Sequence, residues 1–418
     1  MTDLQQQLKK LKTLWRKEKS KALEQSSILL CGLAAQLRDS TVQQQILTAN
    51  QKDLAKLRPE DSMYDRLLLN EQRLTDIATD LEQVAALPGP VGQELYRHDM
   101  ANGVQIHLQR VPIGLVLVIY ESRPNVTIDL FALALRTGNL LLLKGGKEAF
   151  ESNSCLVGLI RQQLEANGLN AEWVTLLGTS REECGLLLQQ HQFIDLCIPR
   201  GSASLIRFVR EHSQVPVIET GAGVVHLFCD RSARPEMAAE LIYNSKMRRL
   251  SVCNALDCLL LHRQHLPQLP RLVAELAKAR VKLHCDQPSY TALESDYPAE
   301  LLTKATEASY GQEFLSAGMC VKVVDNLAKA IEHIEQYGSH HTEVIVTEEP
   351  ANAILFCEEV DAASIFVNMA SGFSDGGQFG LGAEVGISTQ KLHARGPMGL
   401  EALTCAKWFG QGNGQTRS

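Results

Sequence analysis

Short apolar runs alternate with amphipathic stretches from Leu115 onward, and this alternation restricts the chain to few folds. The runs consist largely of leucine, valine and isoleucine, which is typical of strands buried on both faces. They occupy 115–119, 140–143, 173–176, 194–198 and 215–218, and helical periodicity is found at 151–166, 181–190 and 201–212. Repeated strand–helix units of this length predict a parallel α/β sheet, whose carboxyl edge commonly binds a nucleotide cofactor.

A second series of strand–helix units follows residue 253. Its strands are predicted at 259–261, 281–283, 321–324, 344–346 and 364–367, and its helices at 266–279, 326–337 and 350–358. A chain of 418 residues is also too long for a single hydrophobic core. We therefore expect two α/β domains.

The residues before the first apolar run show two other patterns. Helical spacing of apolar residues extends over 2–38, 41–56 and 63–87, which predicts packed surface helices, with a coiled-coil arm as the alternative. Between 104 and 108, apolar and polar residues alternate after the turn pair Asn102-Gly103. This alternation indicates an exposed strand or hairpin.

Composition excludes several classes of protein. The formal net charge of −7 gives no overall attraction to nucleic acid or to an anionic membrane. No secretory leader and no apolar run of membrane-spanning length is found, so we expect a cytoplasmic protein.

Eleven cysteines are scattered without paired spacing, which predicts thiols rather than disulfides. Since no Cys-x-x-Cys occurs, and the histidines at 262, 265, 340 and 341 are expected at the surface or as caps, no metal site is predicted.

Cys253 is the candidate nucleophile. It follows three basic residues, Lys246, Arg248 and Arg249, and nearby positive charge lowers the pKa of a thiol. It precedes Asn254-Ala255-Leu256, which is predicted to open a helix whose amides would face an oxyanion. The alternative is a structural thiol, because cysteine is among the most buried residue types.

Two lysines mark the end of the strand predicted at 140–143. Lys144 and Lys147 are close enough in sequence for both ammonium groups to clasp one phosphate, and the alternative is a solvated loop. They do not belong to a Walker P-loop, because its first glycine is missing and Glu148 takes the Ser or Thr position. Gly221-Ala222-Gly223 lacks the third glycine of a dinucleotide fingerprint.

Several motifs together are similar to one family. They are the stretches 119–127, 144–149, 252–255, 376–384 and 388–397, with a further signature between Val324 and Ile345. This set extends over nearly the whole chain and resembles the gamma-glutamyl phosphate reductases of the aldehyde dehydrogenase superfamily.

The resemblance implies an aldehyde-dehydrogenase-like α/β fold with two parallel-sheet domains, one for the cofactor and one for catalysis. Residues 1–228 would form the cofactor-binding domain, 229–367 the catalytic domain with Cys253, and 368–418 a return to the cofactor domain that ends in an oligomerisation tail. The segment 102–113 would be an oligomerisation hairpin. A homo-oligomer is expected, because an uncovered strand edge invites pairing with another chain.

The resemblance also implies NADPH-dependent reduction of L-glutamyl 5-phosphate to L-glutamate 5-semialdehyde, the second step of proline biosynthesis. Cys253 would form a thioester, with the oxyanion held by its own backbone N–H and by the Asn125 side chain. Lys144 would hold the adenosine ribose, Lys147 would attract the 2′-phosphate of NADP(H), and Glu313 would hydrogen-bond the nicotinamide ribose. A glutamate 5-kinase is a candidate partner.

An anionic substrate requires fixed cations. Four candidates share a position in or beside the family motifs, and each is equally readable as a structural ion-pair residue. They are Arg123, Arg249, His393 and Arg395.

The chain departs from the family pattern at three places. The usual proline is missing from Met247–Ser251, the residues Val224-Val225 are unusual, and Gly372 stands where the family usually has an arginine. Arg248 either compensates for that arginine or indicates a shifted substrate. Three functions stay open: the expected reductase, a paralogue acting on another acyl phosphate or aldehyde, and a catalytically weak binding or assembly protein.

Overall fold

The structure is a computed structural model that describes residues 2–58, 61–121 and 123–417. The chain divides into two compact units. The first unit contains the chain up to Thr220, Gly380–Gly386, and the segment from Leu392 onward, and the second contains Gly221–Phe379 and Ile387–Lys391. The domain bounds implied by the resemblance stay a prediction.

The first unit begins with four helices. They are α1 (Asp3–Arg38), α2 (Ser40–Leu54), α3 (Ser62–Leu67) and α4 (Glu71–Ala86). The coiled-coil alternative is wrong, because α1 buries its leucines against α4 and against the helix Asn125–Arg136. The single helix expected at 63–87 is also wrong. Asn70 is extended and its side chain accepts a hydrogen bond from the Arg73 N–H, so it caps a new helix at that point.

A four-stranded parallel sheet forms the centre of the first unit. Its strands are β3 (Leu115–Tyr120), β4 (Leu140–Gly145), β5 (Val174–Leu176) and β6 (Leu196–Arg200), in the order β5-β4-β3-β6. The helices on its two faces are α5 (Asn125–Arg136), α6 (Phe150–Ala166), α7 (Arg181–Leu188) and α8 (Ala203–His212). Alternate residues of β3 join two different hydrophobic clusters, which explains why the strand is apolar throughout. The strand expected at 215–218 is wrong, since only Val217 pairs, in one bridge to Cys197.

A three-stranded antiparallel sheet also belongs to the first unit. It consists of β1 (Glu94–Asp99), β2 (Gln105–Pro112) and β16 (Thr404–Gln411), in the order β1-β2-β16. This confirms the strand expected after Asn102-Gly103. Large apolar side chains are exposed on it, among them Tyr96 and Trp408, whose rings meet edge to face at 5.6 Å. A two-residue strand, β15 (Gly396–Pro397), precedes β16.

A seven-stranded parallel sheet forms the second unit. Its strands are β7 (Val225–Cys229), β8 (Leu256–His262), β9 (Lys282–Cys285), β10 (Leu302–Lys304), β11 (Gly318–Val324), β12 (Thr342–Val346) and β13 (Ser364–Val367), in the order β10-β9-β11-β8-β7-β12-β13. A short strand, β14 (Ile387–Ser388), also lies in this unit. The prediction of two α/β units is confirmed.

Seven helices of the second unit are described. They are α9 (Pro235–Met247), α10 (Leu269–Leu272), α11 (Ala274–Lys278), α12 (Gln287–Leu293), α13 (Glu307–Tyr310), α14 (Leu327–Tyr337) and α15 (Pro350–Glu359). The single helix expected at 266–279 is wrong. A 3₁₀ helix containing Pro267 runs into α10, which has a proline in its first turn, and prolines lack the N–H that a continuous helix needs.

Two further expectations concern the chain as a whole. Within the described residues no cysteine is in a disulfide. In the same part of the chain, no helix has the length and apolarity needed to cross a membrane.

Candidate active site

Cys253 lies in the turn between α9 and β8 and is partly buried. The helix expected at Asn254-Ala255-Leu256 is wrong, because Leu256 already begins the central strand β8. The thiol therefore has no helix N-terminus following it in sequence. The expected contribution of helix amides to its reactivity does not arise there.

Hydrogen bonds fix the turn from both sides. The buried Asn254 side chain donates from Nδ2 to the Ser374 carbonyl at 2.8 Å, and the Ser371 hydroxyl donates to the Asn254 carbonyl at 2.6 Å. The Ser371 N–H donates to the Ser245 hydroxyl at 3.1 Å. Asn254 thus holds the segment next to Cys253 against residues 371–374, a role that the sequence alone did not indicate.

Gly223 lies directly against the backbone of Cys253. A Cβ at position 223 would stand 1.7 Å from the Cys253 carbonyl oxygen, so only glycine fits there. The Gly223 N–H also donates to Glu313 Oε1 at 3.1 Å. The structure therefore brings two predicted site residues, Cys253 and Glu313, to the same glycine. The Gly221-Ala222-Gly223 sequence did not identify Cys253 as the partner of this close approach.

Lys246 was expected to supply positive charge to the thiol. Instead its side chain is fully buried, with Nζ 3.6 Å from Asp257 Oδ1 and 5.7 Å from the centre of the Phe314 ring. Asp257 also accepts from the Phe314 N–H at 3.0 Å. Burial lowers the pKa of Lys246 and raises the pKa of Asp257, while each group partly stabilises the charge of the other. Lys246 is therefore an interior ion-pair residue whose charge Asp257 balances.

Arg248 occupies the space next to Gly372. A Cβ at position 372 would stand 2.6 Å from Arg248 Nε and 3.3 Å from Cζ. Arg248 and its neighbour Arg249 are both exposed. The Arg248 guanidinium thus occupies the space beside Gly372, the position at which the resemblance implies an arginine.

Asn125 is the first residue of α5, just beyond the carboxyl end of β3, and Arg123 precedes it. Both side chains are partly buried. Asn125 Nδ2 donates to Asp129 Oδ2 at 3.4 Å, one helical turn on. Burial raises the pKa of Asp129 to about 7, with Arg200 opposing the rise and the carboxylates of Asp80 and Glu384 adding to it. Asp129, which the sequence analysis missed, therefore orients the Asn125 amide.

The raised pKa of Asp129 gives a testable dependence of stability on pH. Between the ordinary value of 3.8 and about 7, the folded chain binds more protons at this carboxyl than the unfolded chain does. Folding stability from this group therefore falls as pH rises through that window. Asp129→Asn, which cannot ionise, is expected to gain stability relative to wild type between about pH 5 and about pH 8. Urea unfolding midpoints at both pH values measure the change. Asp76→Asn, at an exposed site on α4, is the matched control. Its urea midpoint should differ from that of wild type by the same amount at both pH values.

Lys144 and Lys147 differ in their surroundings. Lys144 is the penultimate residue of β4 and is almost fully buried, its Nζ donates to the Gly178 carbonyl at 2.7 Å, and burial lowers its pKa. Lys147 begins a 3₁₀ turn and is exposed. Both lie at the carboxyl edge of the four-stranded sheet, the same edge that carries Arg123 and Asn125. Lys144 is thus fixed in place, and Lys147 is accessible to a ligand.

His393 and Arg395 line a cavity of about 690 Å³ in the first unit. The His393 ring lies 3.2 Å from the Ala402 carbonyl. Arg110 and Glu401, which form an ion pair of 2.6 Å, line the same cavity. The two candidate substrate residues therefore line one cavity, while the candidate Arg249 belongs to the second unit.

The histidine predictions are correct only in part. His262 is a cap, since its Nδ1 accepts from the Gln264 N–H at 3.2 Å, and His340 is exposed. His265 and His341 are buried, so the expectation of surface positions is wrong for these two. Each bonds a neighbour, His265 to the Asp230 carbonyl at 2.8 Å and His341 to the Thr342 hydroxyl at 2.8 Å.

Curated proteins closely similar in sequence carry one name. A gamma-glutamyl phosphate reductase of Legionella pneumophila (strain Paris) is 48% identical over 391 residues, which cover 94% of this chain and 93% of that protein. A gamma-glutamyl phosphate reductase of Chlorobium limicola is 49% identical over 373 residues, covering 89% of each. No model in a scan of protein families matches the chain.

Solved structures agree with these relatives. The gamma-glutamyl phosphate reductase of Thermotoga maritima has a TM-score of 0.92 and 37% identity, with both chains covered in full. An acetylating aldehyde dehydrogenase of Geobacillus thermoglucosidasius has a TM-score of 0.74 at 15% identity, over 100% of this chain and 98% of that one, which shows likeness of fold. On identity, coverage and an aldehyde-dehydrogenase-like α/β fold, the chain belongs to the gamma-glutamyl phosphate reductase family.

Proposed function

We propose that this chain reduces L-glutamyl 5-phosphate to L-glutamate 5-semialdehyde with NADPH, through a thioester on Cys253, in the second step of proline biosynthesis. Its relatives are named as reductases of this acyl phosphate. The observation that carries the proposal is the turn of Cys253, which Asn254 and Ser371 fix by hydrogen bonds and which packs against Gly223 beside Glu313. A fixed, partly exposed thiol is the arrangement that nucleophilic catalysis on a carbonyl carbon requires.

The residues of the first unit suit a phosphorylated dinucleotide. An exposed ammonium, Lys147, and a fixed one, Lys144, lie at the carboxyl edge of a parallel sheet, where such sheets usually bind nucleotides. In the proposal Lys147 binds the 2′-phosphate, Lys144 holds the adenosine ribose, and Glu313 of the second unit bonds the nicotinamide ribose. When bound, the reduced nicotinamide supplies the hydride that reduces the thioester to the oxidation state of an aldehyde.

The chain's own groups carry the acyl transfer in this proposal. The Cys253 thiolate attacks the acyl carbon, a C–S bond forms, and the C–O bond to phosphate breaks with phosphate as the leaving group. The Cys253 N–H and the Asn125 amide stabilise the negative charge that develops on the carbonyl oxygen. After reduction the sulfur leaves as thiolate, and the aldehyde is released.

Arginines of the second unit are suited to the anionic ends of the substrate. We propose Arg248 and Arg249 as cations for phosphate or carboxylate, since both are exposed and Arg248 covers Gly372. Arg123, His393 and Arg395 are proposed as further substrate contacts from the first unit.

We also propose a homo-oligomer that covers the antiparallel sheet of the first unit. The exposed rings of Tyr96 and Trp408 and the outer edges of β1 and β16 support this, because such edges otherwise pair unspecifically. A glutamate 5-kinase is proposed as the enzyme that supplies the acyl phosphate, which hydrolyses readily in water.

The reverse reaction tests the function without the unstable substrate. Purified wild type with glutamate semialdehyde, phosphate and NADP⁺ is expected to form NADPH, followed by absorbance, only when phosphate is present. Activity without phosphate would contradict the acyl phosphate and point to a simple aldehyde dehydrogenase. Turnover with another aldehyde in preference to glutamate semialdehyde would favour the paralogue.

Lys147→Glu tests the preference for NADP⁺. Replacing the cation by an anion is expected to lower the ratio of kcat/KM for NADP⁺ to that for NAD⁺ by about 10- to 100-fold, the value of a charge-assisted hydrogen bond. Parallel assays with both cofactors measure the ratio. Lys52→Glu, at an exposed lysine of α2 in the same unit, should leave it unchanged. An unaltered ratio in Lys147→Glu would mean that another residue selects the cofactor.

A further inference from the structure

Three neighbouring strands of the seven-stranded sheet present polar side chains in a row. His226 on β7 is paired in register with Cys258 on β8, and Glu343 on β12 is paired with His226. Residues directly opposite on adjacent strands project on the same face. All three side chains are inaccessible to solvent.

A fourth side chain reaches this row from a helix. His333 of α14 is 5% exposed, and its Nε2 lies 3.8 Å from Cys258 Sγ. One donor atom from each of His226, Cys258 and His333 lies within 4.8 Å of the others. These residues are far apart in sequence and form one cluster only in the fold.

Glu343 sets the orientation of the His226 ring. Its carboxylate accepts from the His226 backbone N–H at 3.0 Å and from Nδ1 at 3.1 Å. A carboxylate can only accept, so with Glu343 ionised Nδ1 carries the proton, and in the neutral ring Nε2 has its lone pair available. That Nε2 is buried and has no hydrogen-bond partner among the described residues. A buried nitrogen lone pair without a partner, on a ring held by a carboxylate, is the arrangement found behind metal-binding histidines.

The distances suit a tetrahedral ion. Zinc bonds sulfur at about 2.3 Å and nitrogen at about 2.0 Å, so tetrahedral ligands stand roughly 3.5 Å apart. The Cys258–His333 separation of 3.8 Å is close to that value. Binding of the ion displaces the proton of the Cys258 thiol, and the resulting thiolate and the Glu343 carboxylate together balance the charge of a divalent cation, which a dry interior requires.

A route from solvent leads to His333. This residue lines a surface cavity of about 230 Å³ together with Lys322, Asp325 and Glu332. Of the three ligands, His333 is the one that lines this cavity. Lys322 makes a cation–π contact with Tyr310, with its Nζ 4.6 Å from the ring centre.

We propose that His226, Cys258 and His333 bind one divalent ion of the zinc class, with a water molecule as the fourth ligand and with Glu343 orienting His226. The site lies on the face of the sheet covered by α14 and stabilises the second unit rather than taking part in the reduction. It goes against the expectation, drawn from the absence of Cys-x-x-Cys, that the chain binds no metal.

Cobalt binding tests the site. Tag-free protein, stripped with a chelator, is titrated with Co²⁺ while ultraviolet and visible spectra are recorded. We expect one ion per chain, a sulfur-to-cobalt charge-transfer band, the visible bands of tetrahedral Co²⁺, and displacement by Zn²⁺. Failure of folded wild type to show the charge-transfer band overturns the proposal.

Variants assign the ligands. Cys258→Ser is expected to lose the charge-transfer band, and His333→Gln to weaken Co²⁺ binding at least tenfold. Cys320→Ser is the matched control, because Cys320 is a buried thiol paired in register with Cys258 on β11. Should the control lose the band while Cys258→Ser keeps it, the assignment is wrong.

A measurement on wild type alone guards against misfolded variants. X-ray absorption of the Zn²⁺-loaded protein is expected to show one sulfur and two nitrogen neighbours, with the water oxygen as the fourth. A shell of oxygen and nitrogen only would place the ion elsewhere and overturn the proposal.

Discussion

Replacing Cys253 by alanine is expected to lower phosphate-dependent NADPH formation by about 10⁴-fold or more, because a covalent mechanism has no other route once its nucleophile is removed. The turn should keep its shape, since Asn254 and Ser371 hold it through groups that the substitution leaves in place. Initial rates in the reverse reaction, with NADPH absorbance as readout, give the factor.

Cys357→Ala provides the matched control for this loss. Cys357 is an exposed thiol on α15 in the same unit, so its removal should leave the rate within about twofold. Binding of NADPH to Cys253→Ala, followed by fluorescence, should persist. A variant that still turns over with phosphate would remove Cys253 from the mechanism and require another nucleophile.

Asn125→Ala is expected to lower kcat by roughly 10²- to 10³-fold, the usual effect of removing one oxyanion donor. The donor acts on charge that develops in the transition state, so KM should change little. Separate kcat and KM values from the reverse reaction test this division.

Asn167→Ala is the control for Asn125→Ala, as it removes a partly buried asparagine at the end of α6 in the same unit. It should retain wild-type kinetics. A rise in KM with unchanged kcat in Asn125→Ala would instead make this side chain a binding residue, outside the oxyanion site.

Periodicity predicted the α/β architecture because buried parallel strands must be apolar on both faces. The runs at 115–119 and 140–143 became β3 and β4, since each strand contributes to clusters on two sides of its sheet. Apolar periodicity was less informative about helix boundaries that are set by a single capping residue. Within the run 63–87, Asn70 begins a separate helix, α4, through a single side-chain hydrogen bond.

The surroundings of Cys253 were the hardest to predict. Asn254 resembles a helix cap in sequence, yet the apolar run from Leu256 forms the central strand β8. Burial of that strand outweighs the local propensity for a helix. The sequence predicts that Lys246 supplies positive charge to the thiol, because nothing near it in sequence shows that Asp257 will meet it in the interior.

The other contacts that the sequence did not predict join residues that are distant in sequence. Gly223 meets Cys253 only after β7 and β8 pair, and Cys258 lies 75 positions from His333. No local motif reports such contacts. The Asn125 and Asp129 pair is the exception, because residues four apart on a helix face the same side.

The contact between Arg248 and Gly372 couples these two positions. A Cβ at position 372 would stand 2.6 Å from Arg248 Nε, so a larger side chain there requires the Arg248 guanidinium to move. Because the two residues share one space, we expect the effects of substituting them to be non-additive. A double-mutant cycle of Gly372→Ala and Arg248→Ala would measure their interaction free energy.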